Sequence, residues 1–353
     1  MSSEIETVSP RTPGDDERSA DGGGRGADGG GRIVTFDAIR QAAERIRKIA
    51  RVTPLVDVSA AAGRPLFLKC ENLQAAGAFK IRGAYNMVAQ LTPEQRARGV
   101  ITYSSGNHGQ AMALAARELG APAVVVMPTT APQIKIEGAK AFGAEVIFAG
   151  TTSADRLTRA QAEADARGLT MVPPFDHEWI IEGQATAGLE ILEQLPDVAA
   201  VLVPIGGGGL AAGISAAVKQ SKPDVKVIGV EPTGAAAMKA SLDAGEPVTL
   251  PKTESVADGL MPVRPGDLTY AHVNRFADAV ITVDDRAIVD AVFWIFAHAK
   301  LVAEPSGAAT TAAVLSGALD TVARIEGPIV AVLSGGNMAA ERLRELREGP
   351  NGT

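Results

Sequence analysis

Short apolar runs alternate with amphipathic stretches along the chain from about residue 35 onward. The runs contain few polar residues, and we predict that they form buried strands. They are PLFLKC (65–70), VITYSS (100–105), AVVVMP (123–128), EVIFAG (145–150), AVLVPI (200–205), VKVIGV (225–230), AVITV (279–283) and PIVAVL (328–333). Strands that are apolar throughout and alternate with helices are typical of parallel sheets covered on both faces.

Helical spacing of apolar residues separates most of these runs. The clearest helical patterns cover residues 35–50, 109–119, 132–142 and 287–300. The first of them has Thr35 as its expected N-cap. So many strands fit two sheets better than one compact doubly wound sheet. We therefore predict an α/β fold with two open, twisted, mostly parallel sheets and a cleft between them.

Composition narrows the classes of function. Hydrophobic residues make up 46% of the 353 residues and charged residues 21%, as in ordinary globular proteins. The net charge of −7 without a basic cluster argues against nucleic acid as a partner, and no apolar run approaches the ~20 residues of a membrane helix. A single cysteine excludes a disulfide framework, and four scattered histidines do not indicate structural zinc. We expect a cytoplasmic protein.

Residues 1–32 differ from the rest of the chain. They are rich in glycine and charge and contain few large apolar groups. Such a segment cannot bury enough surface to offset the entropy of ordering. We predict a disordered tail.

Three glycine-marked turns follow predicted strands. They are SSGNHGQ (104–110), GGGGLAAG (206–213) and SGGNMAA (334–340). Ligands of open α/β sheets bind beyond the carboxyl ends of the strands, where such turns lie. Three of them around one cleft would mark a binding site.

The GGGG turn has two interpretations. Its backbone N–H groups and the following helix would hold a phosphate group. The G-x-G-x-x-A pattern from Gly206 to Ala211, with Glu231 after the next strand, also matches a dinucleotide site. Against NAD, Pro232 directly follows the acid, and the dinucleotide hypothesis gives Lys80 no role. A single phosphate on a smaller cofactor uses the same loop and accounts for more of the sequence.

Lys80 stands in an apolar setting. In AAGAFKIRGAYN (75–86) it lies between Phe79 and Ile81, with glycines on either side. A lysine amine in an apolar pocket, together with a phosphate cradle and no metal ligands, suggests pyridoxal 5′-phosphate (PLP) held as a lysine imine.

The motifs resemble those of a known family. In order they are RVTPL, LKCENLQAAGAFKIRGA, SSGNHGQA, MPTTAPQIKIEGAKAFGAEV, PIGGGGL, GVEP, EPSGA and SGGN, between about residues 35 and 345. The chain resembles the serine/threonine dehydratase branch of the fold-type II PLP enzymes, which includes threonine ammonia-lyases and serine racemases. The resemblance implies a tryptophan synthase β-like fold with the cofactor in the cleft. We expect a large PLP-binding domain (33–95 and 171–348), a small domain (96–170), and a homodimer or dimer of dimers.

The resemblance also implies an activity. The expected enzyme is a lyase of amino-acid metabolism, a threonine ammonia-lyase or serine dehydratase. It would deaminate L-threonine and/or L-serine to a 2-oxoacid and ammonia. The alternatives are a serine racemase, a dehydratase of 3-hydroxyaspartate or another 3-hydroxy amino acid, an NAD oxidoreductase, and a PLP-binding scaffold without catalysis. Arg156 is a candidate contact for the second carboxylate of an acidic substrate.

Site residues follow from the matching motifs. Lys80 would carry the cofactor and move the α-proton, and Ser105 would act on the opposite face in racemising relatives. Asn107 would meet the cofactor's 3′-oxygen and Ser334 its pyridine nitrogen. The implied cofactor contacts are Phe79, Lys80, Asn107, Gly206, Gly207, Gly208, Gly209, Leu210 and Ser334. The implied contacts of the substrate carboxylate are Ser104, Ser105, Asn107 and His108.

A divalent cation site is not expected. Some relatives use the glutamate of GVEP, here Glu231, with an aspartate six residues later. Ala237 stands at that position in this chain. A hard cation needs several oxygen ligands, so the sequence predicts no metal site of this type.

Overall fold

Strands and helices alternate through the described chain as the sequence predicts. The computed structural model describes residues 33–104, 106–131 and 133–348. The predicted tail, residues 1–32, and Ser105 lie outside the described residues. None of the helices in the described ranges is long and apolar enough to cross a membrane.

All eight predicted strands are present, together with two short ones. The strands of the described residues are β1 Leu55–Asp57, β2 Leu66–Cys70, β3 Val100–Tyr103, β4 Ala123–Met127, β5 Glu145–Phe148, β6 Thr170–Met171, β7 Ala200–Pro204, β8 Lys226–Pro232, β9 Ala279–Val283 and β10 Ile329–Leu333. Strands β1 and β6 were not predicted because three and two residues give no recognisable apolar run.

The helices occupy most of the segments between the strands. They are α1 Phe36–Ile46, α2 Ser59–Ala62, α3 Ile81–Ala89, α4 Pro93–Arg98, α5 Asn107–Glu118, α6 Gln133–Ala141, α7 Ser153–Arg167, α8 Glu178–Gln194, α9 Gly209–Ser221, α10 Ala237–Ala244, α11 Asp267–Phe276, α12 Asp285–Ala299, α13 Pro305–Leu315 and α14 Ala340–Glu348. The Thr35 side chain caps α1 as predicted, accepting a hydrogen bond from the Ala38 N–H at 3.2 Å.

The strands form two sheets. Six strands make the larger sheet in the order β1-β2-β10-β7-β8-β9, and four make the smaller one in the order β5-β4-β3-β6. Within the described ranges, the β1–β2 pair is antiparallel and every other pair is parallel. The predicted α/β fold with two mostly parallel sheets is confirmed.

Both sheets are covered on both faces. Side chains of β10 alternate between two cores: Ile329, Ala331 and Leu333 pack with α12 and α13, while Val330 and Val332 pack with α8 and α9. The smaller sheet alternates in the same way between α5 and α7. Burial on both faces is the reason that these strands are apolar without alternation in the sequence.

The predicted domain boundaries stay a prediction. The four-stranded sheet is built from residues 100–171, and the six-stranded sheet from residues 55–70 and 200–333. Helix α3, assigned to the large domain, shares a core with α5 of the smaller sheet. The boundary at 170/171 lies inside β6.

A buried ionic network ties three elements together. Arg82 of α3 donates from Nε to Glu71 at 2.7 Å and from Nη1 to Glu190 of α8 at 2.7 Å. Lys69 of β2 pairs with Glu190 at 2.5 Å. Burial is the largest single effect and opposes ionisation of Glu71, but the charge and hydrogen bonds of Arg82, together with Lys69 and Thr53, outweigh it and lower the pKa of that carboxyl below its ordinary value. The positive charges of Arg82 and Lys69 balance the negative charges of Glu71 and Glu190. Because Arg82 belongs to α3, the network anchors the start of this helix, next to Lys80.

We expect Arg82→Ala to lower the free energy of unfolding by about 3–5 kcal/mol, because it leaves the fully buried carboxylate of Glu71 without its main partner and removes one of the two cations that pair with Glu190. Urea denaturation measures the change. Arg286→Ala is the matched control, since the Arg286–Asp290 pair is exposed (84% and 59%) and its loss should cost less than about 1 kcal/mol. Equal stability of the two variants would contradict a structural role for the network.

Candidate active site

A cavity of about 410 Å³ opens at the carboxyl ends of strands from both sheets. Its size lies in the range of small-ligand and cofactor sites. The structure brings together in its wall all the described residues that the family resemblance implied as contacts of the cofactor or of the substrate carboxylate. They are Phe79, Lys80, Ser104, Asn107, His108, Gly206, Gly207, Gly208, Gly209, Leu210 and Ser334.

Lys80 immediately precedes α3 and reaches into the cavity. Its Nζ donates to the carbonyl oxygen of Pro174 at 2.7 Å and lies 5.0 Å from the centre of the Phe79 ring. Burial lowers the pKa of the Lys80 amine to about 8, because the charged form loses its hydration. The amine is still mostly protonated near pH 7, but its neutral, nucleophilic fraction is far larger than that of an ordinary lysine.

The loop before Lys80 is held by the SGGN segment. The Gly336 N–H donates to the Gly77 carbonyl at 3.0 Å, and the Asn337 Nδ2 donates to the Ala76 carbonyl at 2.7 Å. Ala76 and Gly77 have φ values of 61° and 71°, in the left-handed region. A Cβ on Gly77 would lie 2.1 Å from the Asn337 Oδ1. Glycine at 77 therefore lets Asn337 approach and fix the backbone that carries the lysine.

The four glycines from 206 to 209 join β7 to α9. A Cβ on Gly207 would lie 2.2 Å from the Phe175 ring, and one on Gly206 would lie 2.9 Å from the Gly259 carbonyl oxygen. Gly208 has a φ of 97°. Close packing and backbone conformation thus both require glycine in this loop.

The same loop has the donors that a phosphate group needs. The backbone N–H groups of residues 206–210 donate to no other group among the described residues. They lie at the N-terminus of α9, a 13-residue helix whose dipole favours an anion. Together with the Lys80 amine, whose pKa is lowered, this cradle fits PLP.

A second helix N-terminus faces the cavity. Helix α5 begins at Asn107, after β3 and Ser104, and the Gly106 N–H donates to the Ser104 Oγ at 3.2 Å. Ser105 lies outside the described residues. Main-chain N–H groups at this helix start are suited to a carboxylate.

His108 is buried and neutral. Its Nε2 donates to the Val172 carbonyl at 3.1 Å. Burial, reinforced by the nearby amine of Lys80, lowers the pKa of His108 to about 3. The imidazole cannot offer a positive charge to a carboxylate, so any contribution from this residue comes through its backbone or as a neutral ring.

Glu304 is a cavity residue that the sequence analysis did not identify. It precedes α13, is 5% exposed, and accepts a hydrogen bond from the Asn107 Nδ2 at 2.6 Å. Burial, then repulsion from Asp258, raises the pKa of Glu304 to about 7, against the opposing effects of Lys135 and Asn107. The sequence signal that could have identified Glu304 was its position as a single acid in the otherwise apolar stretch around EPSGA.

Ser334 follows β10 and is 4% exposed. Its carbonyl accepts the Phe79 N–H at 3.1 Å. Its hydroxyl makes only a long hydrogen bond, 3.5 Å, to the Ser306 carbonyl. The hydroxyl is thus weakly held at the cavity wall.

Arg156 of α7 also lines the cavity. Its Nη2 donates to the Ser153 Oγ at 2.8 Å, and its buried Nε has no partner among the described residues. Its Nη1 makes only a long hydrogen bond, 3.4 Å, to the Thr151 carbonyl, and burial lowers the pKa of its guanidinium. The guanidinium therefore has hydrogen-bonding capacity to spare.

Glu231 lies outside the cavity wall. Its two carboxylate oxygens accept the N–H groups of Met238 and Lys239, each at 2.8 Å, at the start of α10. Burial, partly offset by these hydrogen bonds, raises the pKa of Glu231 to about 7. The carboxylate is committed to the helix, which weighs against a ribose-binding role. The described residues contain no cluster of three or more histidine, cysteine or acidic side chains suited to a metal ion.

Comparison with known proteins agrees with this arrangement. Residues 46–335 match the family model described as pyridoxal-phosphate dependent enzyme. The chain is 42% identical to the L-threonine ammonia-lyase of Thermotoga maritima over 310 residues, 87% of this chain and 76% of that protein.

Two solved structures have the same fold. Maize serine racemase is 39% identical with a TM-score of 0.86, over 89% of this chain and 97% of that one. The processed form of threonine deaminase isoform 2 from Solanum lycopersicum is 37% identical with a TM-score of 0.83, over 90% of this chain and 89% of that one. With a lysine amine and a phosphate cradle facing one cavity, and a family match across most of its length, the chain belongs to the pyridoxal-phosphate dependent enzymes.

Proposed function

We propose that the protein is a PLP-dependent ammonia-lyase that deaminates L-threonine and L-serine by β-elimination to a 2-oxoacid and ammonia. The observation that carries the proposal is the combination, in one cavity, of the Lys80 amine and the glycine-loop N–H groups. Similarity to the Thermotoga L-threonine ammonia-lyase supports threonine as substrate. Similarity to maize serine racemase supports serine, with racemisation as the alternative.

Five features of the cavity wall would hold the cofactor. When bound, PLP supplies a conjugated ring that takes up the electron pair left on the substrate's α-carbon. Lys80 would hold PLP covalently, and the N–H groups of residues 206–210 would hold its phosphate. Asn107 would donate to its 3′-oxygen, Ser334 would meet its ring nitrogen, and Phe79 would pack near the ring.

Lys80 is also the base in this proposal. Freed when the substrate's amine takes its place on the cofactor, the Lys80 amine would remove the α-proton of the bound amino acid, and a pKa of about 8 suits this task near neutral pH. The Pro174 carbonyl orients the amine by accepting a hydrogen bond from Nζ at 2.7 Å. The proton taken from the α-carbon is balanced by one that leaves with the β-hydroxyl as water. The released enamine is then hydrolysed to the 2-oxoacid and ammonia.

The start of α5 would hold the substrate carboxylate. Backbone N–H groups of Asn107 and His108 and the hydroxyls of Ser104 and Ser105 are the proposed contacts. Because His108 is neutral, the contact depends on hydrogen bonds and the helix dipole rather than on an imidazolium.

Arg156 supports a second candidate substrate class, the 3-hydroxyaspartates. Such a substrate carries a second carboxylate, and Arg156 offers an under-used guanidinium in the cavity wall. A planar guanidinium binds a carboxylate with two parallel hydrogen bonds.

A homodimer or dimer of dimers and a cytoplasmic location stay predictions that rest on the family resemblance and the composition. Light scattering on the purified protein measures the first, and cell fractionation the second.

Lys80→Ala should reduce threonine deamination by about 10²–10⁴-fold or more, because the base and the covalent attachment are lost together. Borohydride should fix PLP on the wild type and not on the variant, as read by mass spectrometry. In the wild type, attachment of PLP to apoprotein should accelerate with pH about a midpoint of about 8, since only the neutral amine attacks. Lys252→Ala, an exposed lysine (83%), should match the wild type. Unimpaired deamination by Lys80→Ala would refute the proposed function.

Ser105→Ala should abolish any D-serine formation from L-serine, because racemisation needs a proton donor on the face opposite Lys80. Threonine deamination should fall by only about 2- to 10-fold, the worth of one neutral hydrogen bond. Pyruvate and D-serine are measured together from L-serine in both proteins. Racemisation that persists in the variant would leave Ser105 as a carboxylate contact only.

Arg156→Gln should lower kcat/KM for 3-hydroxyaspartate by about 10- to 100-fold, the worth of a hydrogen bond to a charged group, and that for threonine much less. Arg159→Gln is the control on the same helix, because Arg159 is half-exposed and pairs with Glu163. A wild type inactive on 3-hydroxyaspartate, or equal losses on both substrates, would rule out the second candidate.

A further inference from the structure

A chain of hydrogen bonds fixes the amide of Asn107. It starts at the Ala76 carbonyl, which can only accept. The Asn337 Nδ2 donates to this carbonyl at 2.7 Å and to the Asn107 Oδ1 at 3.0 Å. Both hydrogens of that nitrogen are then used. The orientation of both amides follows from the single backbone carbonyl at the start.

The far end of this chain requires an acceptor. With its oxygen facing Asn337, Asn107 must present Nδ2 on the other side, and Glu304 Oε1 accepts from it at 2.6 Å. An amide nitrogen has two hydrogens, so one remains for a ligand of the cavity that Asn107 lines. If the Asn107 amide were rotated by half a turn, its Nδ2 would face the Asn337 Nδ2 and its Oδ1 would face the Glu304 carboxylate, and both hydrogen bonds would be lost.

We infer that Glu304 and Asn337 are positioning residues that hold Asn107 with one N–H free for the cofactor's 3′-oxygen. The inference deepens the proposed function and rests on it. Glu304 acts through Asn107, and Asn337 also holds the backbone before Lys80 through the Ala76 carbonyl. The lysine loop and the 3′-oxygen donor are thereby linked through one side chain, that of Asn337.

The charge of Glu304 adds a pH dependence. The charged groups that face it are Asp258, which precedes α11, and Lys135 of α6, and the two form an ion pair. The other titratable side chains of the cavity wall are those of Lys80, the neutral His108, Tyr103, Arg156 and Arg264. Ionisation of Glu304, with its pKa raised to about 7, strengthens the hydrogen bond that it accepts from the Asn107 Nδ2. The environment of the 3′-oxygen should therefore change as pH passes through about 7.

The test uses PLP itself as probe, with its dissociation constant and absorption spectrum measured on apoprotein. Glu304→Leu removes the acceptor, and we expect the dissociation constant to rise about 10-fold. We also expect the ratio of the visible to the near-ultraviolet band to fall, because a donor to the 3′-oxygen favours its ionised form. Since Glu304 acts through Asn107, the double variant Glu304→Leu/Asn107→Ala should match Asn107→Ala alone. Additive effects in the double variant would overturn the inference.

Glu304→Gln keeps an acceptor and removes the charge, and it serves if the leucine variant does not fold. Its band ratio should match the wild type below pH 6, and the change centred near pH 7 should disappear. A wild-type pH profile in Glu304→Gln would overturn the role of the charge. Glu231→Gln is the matched control, because Glu231 is equally buried with the same raised pKa but lies outside the cavity wall. Its spectrum should not change.

Failure of the inference and of the proposed function give different results. If wild-type protein binds no PLP, the proposed function fails. If the wild type binds PLP through Lys80 and Glu304→Leu binds it with unchanged affinity and spectrum, only the inference fails.

Discussion

The pairing of residues 76–79 with residues 334–337 is the contact on which the site depends. Ala76 is a non-glycine residue with a φ of 61°, a conformation that costs of order 1–3 kcal/mol. It persists because Asn337 bonds its carbonyl and Gly336 bonds the next one. The loop after β2 is thus tied to the loop after β10, its neighbour in the sheet. Lys80 takes its position from that tie, since it follows the paired residues directly.

The cavity combines a lysine of lowered pKa and a neutral histidine with unused backbone donors. Lys80 has a lowered pKa because it is buried without an acidic partner, and His108 is neutral for the same reason. The starts of α5 and α9, whose N–H groups face the cavity, add to its positive potential. An anion therefore meets fixed backbone dipoles. These need no reorganisation when charge shifts during a reaction.

Buried carboxylates in this protein differ because their partners differ. Glu71 is fully buried, yet it is held ionised because Arg82 forms two hydrogen bonds with it. Glu231 and Glu304 have only neutral donors in direct contact, so burial raises the pKa of each to about 7. Glu231 anchors the start of α10. Glu304 stands beside Asn107, where a change of charge has chemical consequences. Burial alone does not separate these cases, whereas the identity of the hydrogen-bond donor does.

Sequence alone determined the eight long strands, the main helices, the glycine loop and the importance of Lys80. These features depend on residues adjacent in the chain, where periodicity and glycine spacing carry the information. It did not predict the short strands β1 and β6, which exist through pairing with neighbours. Only the tertiary structure identified Glu304, because its contact with Asn107 joins residues 197 positions apart. The lowered pKa values of Lys80 and His108 were likewise decided by folding, since a pKa depends on burial and on charges brought near from distant segments.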